Sequence, residues 1–166
     1  MRQVIKHAFI GGIAGTAFMT LAMLLAPLAG LPHASPPIML AKVMNVPLLV
    51  GWLIHFGMGV IFALAYALLF LKLEVKLSER IYKEISSRYL KGIIFGVIVF
   101  ACAQAVTLIL ETLIGDMTPS GVHRLPLLLI SLVGHIIFGI IVALFAKERL
   151  QKASTFRNTS VHLHKS

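Results

Sequence analysis

Residues 51–70 read GWLIHFGMGVIFALAYALLF. Twenty residues pass without a formal charge. That is about the length of helix that crosses the roughly 30 Å hydrocarbon core of a bilayer. One polar side chain interrupts the run, His55. The stretch therefore predicts a transmembrane helix, and His55 asks why a titratable group lies inside it.

The rest of the chain agrees with the first answer. Of its 166 residues, 58% are hydrophobic and 13% charged, with mean hydropathy +0.94. A soluble domain has nearer 45–50% apolar residues and about 25% charged ones. Four segments are long and apolar enough to span, at about residues 8–29, 48–71, 92–114 and 126–146. Pro47 and Pro126 stand at the starts of the second and fourth, where a missing N–H costs nothing. The first apolar stretch is longer than the h-region of a secretory signal, so it is read as a retained span. The fold class is all-α, a polytopic four-helix membrane domain over residues 1–150. A polar tail over 151–166 reads as disordered and cytoplasmic.

Charge sets the orientation. Thirteen of the 15 Lys and Arg residues fall in the N-terminal flank, the middle connection and the C-terminal tail. Only Lys42 and Arg124 fall on the other side. The positive-inside bias places both termini in the cytoplasm. The same bias accounts for the net charge of +9. It lines the inner face, where anionic lipids attract each cation by about 1 kcal/mol. No nucleic-acid motif accompanies it. The single cysteine, Cys102, excludes an intramolecular disulfide and reads as inert packing in an apolar run.

The connections carry weaker signals. The middle one, KLEVKLSERIYKEISSRYLK (72–91), holds the i,i+4 pairs Glu79–Lys83 and Arg80–Glu84, which suit a short interfacial helix. The first outer connection has Ser35-Pro36-Pro37, a start signal for a helix over Ile38–Met44. His162 and His164 form an H-x-H in the tail, only a compositional metal signal.

Span four contains SLVGHIIFGIIVALF (131–145), and it echoes span two. At an offset of 80, Ser131 matches Gly51, His135 matches His55, Gly139 matches Gly59 and Ala143 matches Ala63. Spans one and three each carry G-x-x-x-G, Gly11–Gly15 and Gly92–Gly96, at an offset of 81. The chain thus reads as two pseudo-symmetric helical hairpins. Repeats that each cross twice share an orientation and are related by an axis along the membrane normal. Spacing of four places the small residues on one face, where they let helices approach closely in lipid.

Depth picks out a polar layer. At about 1.5 Å per residue, His135 lies about 18 Å from Lys147, Gln104 about 20 Å from Lys91, Thr20 about 21 Å from Lys6 and His55 about 25 Å from Lys72. His55, His135, Gln104 and Thr20 are the candidate site residues. Hydrogen bonding between helices is one reading of the histidines. Ligation of a transition metal or haem b by His55 and His135 is a second, and close packing of the small stripes leaves little room for a macrocycle. A proton or small-solute route is a third, and the inner halves of the spans hold few polar residues to continue it. Exposed G-x-x-x-G faces would serve a homo-oligomer. Glu111 and Asp116 read as solvated interfacial carboxylates. No motif of a nucleophile with its base, a metalloprotease or a phosphate loop is present, so the reading is non-enzymatic, with no cofactor assigned.

The stretches GGIAGTAFMTLAMLLAPLAG (11–30), GWLIHFGMGVIFALAYALLF and LVGHIIFGIIVALF (132–145) together resemble a group of small bacterial integral membrane proteins of unknown function. The group has a glycine- and threonine-rich first span, GW-x-x-H in the second and GH-x-x-x-G in the fourth. The resemblance implies four helices in a bacterial inner membrane and no particular activity.

Overall fold

The computed structural model describes residues 2–73, 88–114 and 123–163, and the side chains of 3–69, 89–113 and 123–146. It holds five helices and no strand among the described residues: α1 (Arg2–Leu25), α2 (Pro36–Val43), α3 (Leu48–Leu73), α4 (Arg88–Ile114) and α5 (Arg124–Leu163). Four are long and apolar enough to cross a membrane, over Gln3–Ala29, Leu48–Leu69, Tyr89–Leu113 and Arg124–Ala146. These match the expected segments to within a few residues. The interfacial helix expected in the middle connection, Asp116 and the side chains of the H-x-H lie outside the described residues.

The helices carry large apolar side chains outward. Phe9, Phe18, Leu53, Ile61, Ile98, Leu108 and Val133 are all exposed. A water-soluble monomer rarely shows apolar patches beyond a few hundred Å². A helix that is apolar all round belongs in a core or in lipid. Cys102 shares this outer surface and is exposed, contrary to the buried packing role read from its apolar run. An apolar neighbourhood in sequence does not distinguish a core from a lipid-facing surface.

Short irregular pieces set the hairpin geometry. A 3₁₀ turn at Ala26–Ala29 ends on Gly30, whose φ of 73° lies in the left-handed region. Gly30 N–H donates to Pro27 O and Leu31 N–H to Ala26 O, which satisfies the last carbonyls. Asn45 does the same for α2, with φ 51°, and Val46 N–H donates to Ala41 O. α2 then folds back on the start of α3. Gly51 makes this possible, because a Cβ there would strike Pro37 O and lie 2.9 Å from the Ala41 Cβ. Gly51, expected on a seam between spans, instead serves the α2 contact.

The closest packing runs α3–α1–α5–α4, and α3 also meets α5 directly. Two faces of α1 explain its central place. On one, Gly12 faces Val60 Cα at 2.7 Å and Gly59 O at 2.9 Å from its would-be Cβ, and a Cβ on Gly59 would coincide with Thr16 Oγ1. On the other, Gly11 faces Phe145 Cβ at 2.9 Å and Gly15 faces the Phe138 ring at 2.9 Å. α4 meets α5 backbone to backbone. Gly92 faces Ile140 Cα at 2.5 Å and Gly139 O at 2.9 Å, while Gly96 abuts His135 O and Gly139 abuts Gly92 O.

The α1 residue that meets the same kind of atoms as Gly92 is therefore Gly12, not Gly11. The matching offset is 80 in both helices, not 81. Gly11 and Gly15 then correspond to Lys91 and Phe95, and the bulk of these on α4 keeps it from closing on α3. α3 and α4 touch at an edge-on ring pair, Tyr66–Phe95, with centroids 4.7 Å apart. Phe95 in turn lies 6.2 Å from Phe138. Around these rings pack Met19, Ala63, Val99, Val142 and Ala143.

α5 continues as helix through 151–163, the stretch that composition reads as a disordered tail. Once a long helix is nucleated, each further residue costs little to add.

Gly139→Leu is expected to destabilise the protein by about 1–3 kcal/mol, because no side chain fits between α5 and α4. Gly57 has open space around it, and Gly57→Ala is expected to stay within about 0.5 kcal/mol of wild type. Thermal unfolding in detergent measures both; equal losses at the two positions would refute the packing assignment.

Candidate functional site

Thr16 and Thr20 sit one helical turn apart on α1. Thr16 Oγ1 donates to Gly12 O at 2.7 Å, and Thr20 Oγ1 donates to Thr16 O at 2.7 Å. A hydroxyl has one proton to give. The 2.9 Å contact between Thr20 Oγ1 and His55 Nε2 therefore has the histidine as donor, so its Nε2 carries the hydrogen. The result is a hydrogen-bonded line from His55 on α3 into the backbone of α1, all of it buried. The Phe56 ring stands edge-on to His55 at 6.0 Å.

His135 is held differently. Its Nδ1 lies 2.7 Å from Ser131 O, and a carbonyl only accepts, so Nδ1 carries the hydrogen. A neutral imidazole then presents its Nε2 lone pair as an acceptor. Ser131 Oγ sits 3.4 Å from the same nitrogen and receives a long 3.5 Å contact from Gln104 Nε2 on α4. The Phe100 ring packs edge-on to His135 at 5.8 Å. His135 is half-buried where His55 is buried.

The four predicted site residues thus occupy one level but two clusters. His55 joins Thr20; His135 joins Ser131 and Gln104. The imidazoles do not touch, although they lie within electrostatic range of each other. α1 packs closely against both of their helices. Gly134 on α5 faces Met19 and Met23 of α1 at 3.1 and 3.2 Å. Of the predicted packing residues, Gly59, Ala63, Gly139 and Ala143 are buried on the histidine-bearing faces.

Two elements of the site were not read from sequence. Thr16 received no role, although its spacing of four from Thr20 and from Gly12 was the available signal. Glu111, which the sequence reads as solvated, pairs with Arg124 at 3.2 Å between the end of α4 and the start of α5. Glu111 is 16% exposed and Arg124 57%, so the pair sits at the mouth of the hairpin, half in the open. Among the described residues, no group of three His, Cys, Asp or Glu side chains comes together as a metal cluster.

The fold and the polar layer define a class: among the described residues, an all-helical protein with four candidate membrane helices, two of which each carry one inward histidine. The chain belongs to DUF6789, a family of unknown function, which matches residues 1–157. No curated protein and no solved structure matches it.

A double-mutant cycle tests the His55–Thr20 bond. The interaction energy from Thr20→Val, His55→Ala and their combination is expected at about 0.6–2 kcal/mol. The same cycle between Thr20 and His135→Ala is expected to give none beyond the additivity error of about 0.3–0.5 kcal/mol. Unfolding in detergent reads both cycles.

Proposed function

We propose that the chain is a non-enzymatic integral membrane protein of two pseudo-symmetric helical hairpins, with both termini cytoplasmic and its basic flanks against anionic lipid. The α3–α1 half of its polar layer works as a lock between helices. The observation that carries this reading is the line His55–Thr20–Thr16–Gly12, in which the ring proton of His55 is committed to a neighbouring helix. In lipid, packing and hydrogen bonds between helices replace the hydrophobic effect as the force of association. A buried histidine bound in this way holds α3 against α1 at a fixed register.

Repetition supports the hairpin reading. Gly12 with Gly59 and Val60, and Gly92 with Gly139 and Ile140, make equivalent crossings at one offset. The 13-to-2 distribution of Lys and Arg supports the orientation. The apolar outer surface supports insertion.

The second reading, metal or haem ligation by His55 and His135, has one observation in its favour: each neutral ring keeps one nitrogen lone pair outside the bonds described. The backbone contact of α4 with α5 and the close packing of α1 against both histidine-bearing helices stand against a macrocycle between them.

Two measurements test the proposal. Reporter fusions at residue 33 and at the C-terminus are expected to report opposite sides of the membrane, with the C-terminus inside. Detergent-purified protein is expected to be colourless and free of stoichiometric transition metal. A Soret band lost in both His55→Ala and His135→Ala would replace the lock by a haem site.

A further inference from the structure

α4 and α5 carry a seam of polar side chains that the lock does not use. On α4, Phe100, Gln104, Thr107 and Glu111 fall within an arc of about 60°. On α5, Arg124, Ser131 and His135 fall within about 40°. The two arcs face each other, because they are bridged at two heights, by Gln104–Ser131 and by Glu111–Arg124. Apart from Cys102 and Thr112, every polar side chain described in these helices between Ile93 and Ala146 lies on this seam.

Gln104, Thr107, Ser131 and His135 are neither sealed in protein nor fully satisfied. Gln104, Thr107, Glu111, Ser131 and His135 are all half-buried. Among the described residues, no fully buried side-chain N or O lacks a hydrogen-bond partner. The valences left over are the Gln104 carbonyl, the Thr107 hydroxyl oxygen beyond its bond to Ala103 O, the Ser131 proton and the His135 Nε2. The Gln104 carbonyl and the His135 Nε2, which have no partner, therefore reach the edge of the protein. An unmet polar group facing hydrocarbon costs several kcal/mol, so a row of them is stable only against water.

We propose that the α4–α5 seam is an aqueous vestibule. It opens at the Glu111–Arg124 mouth on the outer side and ends at His135, where Nε2 accepts a hydrogen bond from water or from a small neutral solute bearing an N–H or O–H. Phe100 and the Gly96–His135 backbone contact close its floor. Below it, Phe95, Val99, Phe138 and Val142 form an apolar plug. The vestibule is thus a dead end that binds from one side, not a through-route. Its outward direction rests on the orientation proposed above.

Cysteine accessibility in intact vesicles tests it, using full-length protein in a Cys102→Ser background and a membrane-impermeant quaternary-ammonium methanethiosulfonate. Thr107→Cys, Gln104→Cys and Ser131→Cys are expected to react with external reagent at least about tenfold faster than Ala105→Cys and Val106→Cys, because only a hydrated thiol ionises to the reactive thiolate. Ala105 and Val106 share the depth of the seam but face outward. Rates at 104, 107 and 131 no faster than at 105 and 106 would overturn the vestibule. His33→Cys and Gln3→Cys report the orientation separately. Should Gln3→Cys react and His33→Cys stay silent, the orientation falls, and the same comparison of rates still decides the vestibule.

Discussion

Close approach of backbones is the constraint on which this structure depends. Helices surrounded by lipid gain little by hiding apolar side chains from one another. They gain from atom-to-atom contact, and that requires a surface without protruding side chains. At Gly12–Gly59 and Gly92–Gly139 the chain supplies such surfaces in facing pairs. Everything else is arranged around these crossings. The threonine ladder of α1 lies beside the first, and His55 sits one turn above Gly59. His135 sits one turn above Gly139 beside the second. The polar layer is therefore a by-product of register: fixing where glycine meets glycine also fixes which side chains share a depth.

Much of this was legible in the sequence. The four long helices follow from run length and charge alone, since a spanning helix needs little beyond about 20 apolar residues. The histidine-bearing stripes of α3 and α5 follow from spacing of four. The positions of the helices around one another did not follow. Gly11, Gly12, Gly15 and Thr16 all look like packing residues in α1, and sequence does not say which neighbour each one meets. The answer divides them, Gly11 and Gly15 toward α5, Gly12 and Thr16 toward α3. That division makes the offset 80 throughout, and it separates the two histidines that symmetry alone would bring face to face.

The departure from symmetry has a residue-level cause. A two-fold arrangement of hairpins would close α3 on α4 as α1 closes on α5. The α4 positions equivalent to Gly11 and Gly15 are Lys91 and Phe95, and neither lets a backbone approach. The ring pair Tyr66–Phe95 joins those helices, with centroids 4.7 Å apart. The polar residues follow the same division. The α3–α1 half holds its histidine inside a completed hydrogen-bond line, whereas the α5–α4 half leaves its histidine half-buried with an acceptor to spare.

The central seat of α1 bears on the order of assembly. Helices emerge from synthesis in sequence, and α1 can dock α3 as soon as the first hairpin is complete. Its Gly11–Gly15 face must wait for Phe138 and Phe145, more than 120 residues later. Until then that strip of bare backbone stands open to whatever is nearby, including the α1 of another nascent chain. α5 is the helix that covers this face of α1, so the bundle stays unfinished until α5 has been made.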